Sequence, residues 1–310
     1  MTETTASVPD AATTRPGHAP IGRALRIFAW LSFLAEVTII ATGGAVRLTG
    51  SGLGCSEWPL CTPESLVPVY EVQGVHGMIE FGNRLMTGVV GLLALAVLLL
   101  VWRMRRERRD LFALALVVLL GGILPQAVVG GIIVWTGLNP FIVGFHYVAS
   151  LLLVCVTAAF LVRMNTAPGP RERVVPSWFA ALTHVTGLAL AVTIVFGVLT
   201  TGNGPHSGDA DVIRTGFDAT VLAHVHSWPG YILAGLVLVL LAAALRLRLP
   251  VARWLVVLAA AILVQILVGV WQAREGLPPV LVGVHMVLAA LSAAAYTVVV
   301  LNLKRPVAPA

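Results

Sequence analysis

Eight apolar runs dominate the chain, at roughly 25–46, 74–102, 111–134, 141–164, 178–201, 221–246, 252–272 and 279–302. Each is long enough to cross a hydrocarbon core of about 30 Å. In lipid every backbone polar group must be paired internally, so runs of this kind become helices and the helices pack as bundles. Composition agrees, since 58% hydrophobic and 11% charged residues over 310 positions fall outside the range of soluble globular domains. The expected fold class is an all-α polytopic membrane protein.

A repeat organises the eight helices. Gln126–His146 reads QAVVGGIIVWTGLNPFIVGFH, and Gln265–His285, 139 positions later, reads QILVGVWQAREGLPPVLVGVH. The shift superposes Gln126 on Gln265, Gly130 on Gly269, Gly137 and Leu138 on Gly276 and Leu277, Pro140 on Pro279, Gly144 on Gly283 and His146 on His285. A repeat of this length, late in each half, implies two tandem pseudo-symmetric four-helix bundles. Each ends by placing a histidine on a fresh helix after a Gly-Leu-x-Pro turn. The expected organisation is a disordered cytoplasmic tail over 1–22, a first bundle over 23–164, a linker over 165–177, a second bundle over 178–303 and a short tail over 304–310.

The basic residues set the expected orientation, because cytoplasmic loops are rich in Lys and Arg. Sixteen of the twenty fall on one side: Arg15, Arg23, Arg26, the five arginines of Arg103–Arg109, Arg163, Arg171, Arg173, Arg246, Arg248, Arg253, Lys304 and Arg305. Arg47, Arg84, Arg214 and Arg274 remain on the other. Both termini are therefore expected in the cytoplasm of a bacterial-type cell membrane. The formal charge of +6 is mostly a topology signal, and no basic patch interleaves with aromatics, so nucleic acid is not an expected partner. A cleaved secretory leader is not expected either, since no short apolar core precedes the first span.

Polar residues inside such spans are expensive and point to ligands. Glu36 lies near mid-depth in the first helix, where it must face the bundle or be protonated, and the glycines after it are expected to loosen the helix and let the chain leave the membrane. The first outer loop presents Cys55 and Cys61, six positions apart on the oxidising face. They form either a structural disulfide or an exchangeable redox pair. Helix two then carries His76, Glu80, Asn83, Arg84 and Thr87 at spacings that place them on one stripe. Their joint desolvation is hard to account for without a ligand. Cys155 reads as a small buried apolar residue, and His184 and His206 as histidines without a role in a site.

Within each half the second and fourth helices carry histidine near the outer surface. Two imidazoles facing each other across a bundle can take both axial positions of a haem. The second half offers His285 with His226 or His224, which lie about 200° apart around a helix so that only one can face inward. The first half offers His146, with His76 or with no second imidazole. Haem propionates need cationic partners near the outer interface, where Arg47, Arg84, Arg214 and Arg274 are available.

RLTGSGLGC followed by WPLC, Glu80-x-x-Asn83-Arg84, and the repeated Gly-Leu-x-Pro-x-x-Val-Gly-x-His resemble the haem A synthase family. These membrane enzymes oxidise a methyl group of haem O to a formyl group. The resemblance covers nearly the whole chain after the N-terminal tail. It implies a prosthetic haem b on His226 and His285, and a haem O site near His146. Glu80 is then the acid beside the reacting methyl, where successive hydroxylation yields a geminal diol that loses water, and Cys55 and Cys61 are the outer-loop pair. A haem O synthase is the implied supplier, membrane lipid the surroundings, and a quinone or another carrier the electron acceptor. One position departs from the family's Glu-x-x-His pattern: Asn83 stands where the histidine is expected, with His76 seven residues earlier on the same stripe. Two further readings stand beside this one, a di-haem quinone oxidoreductase and a transporter built from parallel repeats.

Overall fold

A computed structural model describes residues 21–209, 212 and 216–307. Among them are eight helices long and apolar enough to cross a membrane: α1 (Arg23–Leu48), α2 (Tyr70–Trp102), α3 (Arg109–Trp135), α4 (Pro140–Met164), α5 (Ser177–Asn203), α6 (Ala219–Arg246), α7 (Ala252–Arg274) and α8 (Pro279–Leu301). The expected spans are all present. Most of the expected N-terminal tail, and Arg214, lie outside the described residues.

Local chemistry explains the departures within helices. α2 begins four residues earlier than expected, and Gly74 breaks it with φ 58° and ψ −152°, a conformation that glycine alone adopts without strain. α3 widens to a π-helical stretch over Val117–Ile123 just ahead of Pro125. Pro125 has no N–H to donate and its ring crowds the preceding turn, which the wider turn accommodates. One expectation is corrected: Gly43 and Gly44 do not loosen α1, which runs unbroken to Leu48. Their missing side chains instead admit neighbours, since a Cβ on Gly43 would stand 3.8 Å from the Asn83 amide and one on Gly44 3.7 Å from Met286 Sδ.

The repeated Gly-Leu-x-Pro sequences form the same turn twice. Gly137 and Leu138 have φ 59° and 59°, and Gly276 and Leu277 have φ 73° and 64°. Two successive left-handed residues reverse the chain, and Pro140 or Pro279 starts the next helix where a missing N–H costs nothing. In the first copy Asn139 Oδ1 also accepts from the Phe141 N–H at 3.0 Å, an N-terminal cap.

α1 packs on α2, and α5 on α6; α8 lies against α7, α4 and α1. One buried core lies among α1–α4, with Leu25, Val97, Val101, Leu111 and Phe160 among its members. The other is centred on α5–α8 but also takes Ile40 of α1 and Leu151, Val154 and Ala158 of α4. Two helices of the first half thus belong to both cores. The stretch after α4 is more than a linker: β1 (Arg171–Arg173) pairs antiparallel with β2 (Lys304–Pro306), tying it to the end of the chain.

Candidate functional site

A cavity of about 510 Å³ runs between the helices and draws on both halves of the chain. Among its lining residues are Glu36, Arg47, Glu80, His146, His226 and His285. Sequence reasoning named each of these six, and the fold brings them to one space.

The pair in the second half is the simplest part. The His226 and His285 rings stand with centroids 6.3 Å apart and planes at 81°. His226 Nδ1 pairs with the Thr193 carbonyl at 2.9 Å, a contact that fixes the ring's orientation and leaves Nε2 free of that partner. Two glycines let the rings lie this close to their neighbouring helices. A Cβ on Gly197 would stand 2.9 Å from His226 Cε1, and one on Gly269 3.0 Å from His285 Cε1. Gln265 donates to the His285 carbonyl at 3.1 Å. The choice between His224 and His226 is resolved as to which faces the cavity. His224 is exposed and its Nδ1 pairs with Thr220 O of its own helix at 2.8 Å.

The first half has the matching helix and a different surround. Gln126 donates to the His146 carbonyl at 2.8 Å and to Ser150 Oγ at 2.7 Å, and a Cβ on Gly130 would stand 3.9 Å from His146 Cε1. His146 Nδ1 is buried without a hydrogen-bond partner among the described residues, as is His285 Nδ1. His76 does not join this cavity. It is exposed near the start of α2, with Nδ1 2.9 Å from Ser51 Oγ. Asn83 lines the cavity instead, and its Oδ1 accepts from the Thr42 hydroxyl at 2.7 Å.

Glu80 is 6% exposed and is held on both oxygens. Oε2 accepts from the Cys55 N–H at 2.7 Å, and Oε1 from Arg84 Nη2 at 2.6 Å and Nε at 3.2 Å. Arg84 donates onward to the Leu60 carbonyl at 2.8 Å and the Cys55 carbonyl at 3.1 Å. Cys55 and Cys61 form a disulfide. The acid, the guanidinium and the disulfide loop are therefore one unit. Trp58 of that loop lines the cavity and meets Trp135 edge-on at 5.3 Å.

Arg47 and Arg84 are more occupied than their sequence positions suggest. Arg84 is committed to Glu80 and the loop. Arg47 donates from Nε to the His206 carbonyl at 2.7 Å and from Nη2 to the Thr201 carbonyl at 2.8 Å. His206 Nε2 pairs with Leu277 O at 2.8 Å, so His206 ties the stretch after α5 to the second Gly-Leu turn, while Arg47 ties the same stretch to α1. Arg274 is exposed. Thr193 and Gly197 escaped sequence reasoning, because a backbone carbonyl and an absent side chain leave no compositional mark.

A cavity lined by three imidazoles and two carboxyl groups, set among eight helices long and apolar enough to cross a membrane, defines a polytopic membrane protein with an internal site. Sequence comparison gives the family. Residues 26–297 match the COX15-CtaA profile, described as cytochrome oxidase assembly protein, and the chain belongs to that family. Curated relatives include Heme A synthase of Exiguobacterium sibiricum, 32% identical over 133 residues, 43% of each chain. Heme A synthase of Listeria monocytogenes is 29% identical over 171 residues, 55% of this chain and 52% of the relative. That of Bacillus pumilus is 31% identical over 134 residues, 42% of this chain and 41% of the relative. The matches span about half the length of these relatives or less.

Proposed function

We propose that this protein is a haem A synthase, an oxidoreductase that converts the methyl group of haem O to the formyl group of haem A. The observation that carries the reading is the juxtaposition of His226 and His285 in the same cavity as His146 and Glu80. Metal–imidazole bonds of about 2.0–2.1 Å put the centroids of two imidazoles on one ion about 6 Å apart, which the 6.3 Å separation fits. The Thr193 carbonyl on His226 Nδ1 is the kind of contact by which a ligating histidine fixes its tautomer.

On this reading His226 and His285 hold a haem b. Bound there, it supplies one-electron redox capacity for passing electrons to a quinone or another acceptor. His146 holds haem O in the first half as a single imidazole, since His76 stands outside the cavity with Ser51. Glu80, fixed by the Cys55 N–H and Arg84, is placed to move a proton or stabilise positive charge developing at the methyl carbon. Its two donors cost no reorganisation at the moment of reaction, because they are already in place. The Cys55–Cys61 loop both positions Glu80 and helps wall the cavity from water through Trp58. The basic loops set the orientation, with both termini in the cytoplasm of the cell membrane, and a haem O synthase in that membrane supplies the substrate.

Purified protein should show a b-type reduced-minus-oxidised spectrum that disappears in His285→Ala. A colourless protein overturns the assignment and favours a transporter. A b-type spectrum in a protein that never yields haem A leaves the quinone oxidoreductase.

A further inference from the structure

α2 and α3 pack together over only part of their length. α2 lies against Arg109–Leu116 and Val117–Ile123 of α3, yet makes no comparable packing with Leu124–Trp135. The two helices meet at Gly91, where a Cβ would stand 3.9 Å from Ile123 Cγ2. Gly88 lies on the same edge of α2, nearly one turn closer to the disulfide loop. It is exposed, and a Cβ there would meet nothing within 4 Å. The parting begins where α3 changes, since the π-helical stretch ends at Ile123 and Pro125 follows. Such stretches and prolines redirect a helix axis. The equivalent pair in the second half differs: α6 and α7 pack together, and α7 is a single α-helix with Val264 at the repeat position of Pro125.

The parted helices frame a window. One end is the contact between Gly91 and Ile123. The other is Trp58 of the disulfide loop, which lies edge-on to Trp135 and so close to Gly131 that a Cβ there would overlap its ring. From Ile123 to Gly131 the helix rises about 12 Å. Residues on both sides of the window also line the cavity, Thr87 and Val90 on α2 and Ile123 and Ala127 on α3. The window therefore continues the cavity toward the outside of the bundle, on the side of the first-half site. Its rim is apolar and exposed, with Val89 on α2 and Leu124 and Val128 on α3. What meets that rim in a membrane is hydrocarbon.

Resting on the haem A synthase reading, we infer that haem O enters the first-half site, and haem A leaves it, through this window, sideways from the bilayer. A haem with an isoprenoid tail partitions into lipid, because each buried methylene favours hydrocarbon over water. A route that opens on hydrocarbon spares it a passage through water. The half whose group must come and go has the window, and the half whose haem stays bound has closely packed helices in its place. With the ring in the cavity, the tail lies along Val89, Leu124 and Val128.

The test uses protein carrying its haem b in lipid vesicles, with haem O delivered from a second vesicle population. Absorbance follows uptake, and release into excess empty vesicles. Gly88→Trp and Val128→Trp, one on each side of the window, should each slow uptake and release about tenfold, on the scale of what one overpacked side chain adds to a barrier. Affinity is the ratio of the two rates, so it should stay within about twofold of wild type. Leu92→Trp, exposed on the same face of α2 but beyond the Gly91 contact, should change neither rate. All three variants should keep the b-type spectrum, and a window variant that loses it leaves the test to the other. Unslowed uptake in the window variants overturns the inference. So does a weakened affinity, which marks a binding residue, or equal slowing in Leu92→Trp. Wild-type protein that takes up no haem O rejects the haem A synthase reading itself.

Discussion

The two halves answer one sequence repeat with two different sites. Each repeat supplies a glutamine to the carbonyl of its histidine, a glycine beside the ring and a Gly-Leu-x-Pro turn ahead of it. The second half then places a second imidazole opposite, with His226 6.3 Å from His285. The first half places Asn83 and a clamped Glu80 there, under a disulfide loop. A symmetric pair of imidazoles suits a group that stays bound and exchanges electrons. A single imidazole beside a fixed carboxylate suits a group on which chemistry is done. On the proposed reading one repeated frame serves both sites, and a few side chains on α2 and α6 divide the labour.

Several changes would break or sharpen that contrast. The largest effect is expected from the histidines themselves: His226→Ala should abolish the b-type spectrum, whereas His146→Ala should keep it and abolish haem A formation. Equal loss of the spectrum in both variants would dissolve the distinction between the halves. Next is Glu80→Gln, which should slow haem A formation about 10²- to 10⁴-fold, the usual contribution of a positioned acid or base, while the spectrum stays. A smaller contrast lies in the repeated glycines. Gly269→Ala drives a methyl to 3.0 Å from His285 Cε1, against 3.9 Å from His146 Cε1 for Gly130→Ala. The first should cost about 1–3 kcal/mol, as overpacking does, and shift the b-type spectrum; the second should do neither, by thermal melts and spectra.

The smallest effect concerns how the equivalent helices start. Asp218 caps α6 through the Thr220 and Val221 N–H groups at 2.7 and 3.0 Å, whereas Val69 gives α2 no side-chain cap. The Val221 N–H, then that of Thr220, hold the Asp218 carboxyl below the usual carboxylate range. A depressed folded-state value means the contribution is present above the unfolded value and is lost as pH falls through the folded one. Asp218→Ala should therefore flatten the acid limb of a melting-temperature profile slightly, and an identical limb would show that the cap adds nothing.

What the sequence made legible follows from physics that is local. The spans follow from hydropathy. The turns follow from Gly and Pro at fixed offsets, and the polar stripe of α2 from helical spacing. Three-dimensional partnerships were harder to foresee. His76 and Glu80 share that stripe, yet His76 ends at Ser51 and Glu80 under the loop, because His76 lies near the exposed start of α2, ahead of the residues that line the cavity. Arg47 looked free for an anion, but carbonyls across the half boundary claim it. Gly43 and Gly44 looked like helix breakers, yet a helix surrounded by other helices uses glycine for close approach. The pairing of Arg171–Arg173 with Lys304–Pro306 joins segments too far apart for any periodicity to reveal.

The central claim is tested most directly by expressing the protein in cells that make haem O, extracting the haems and separating them by reversed-phase chromatography. The account predicts haem A only when the protein is present, and far less of it with Glu80→Gln. Haem O that persists unconverted beside abundant folded protein would contradict it.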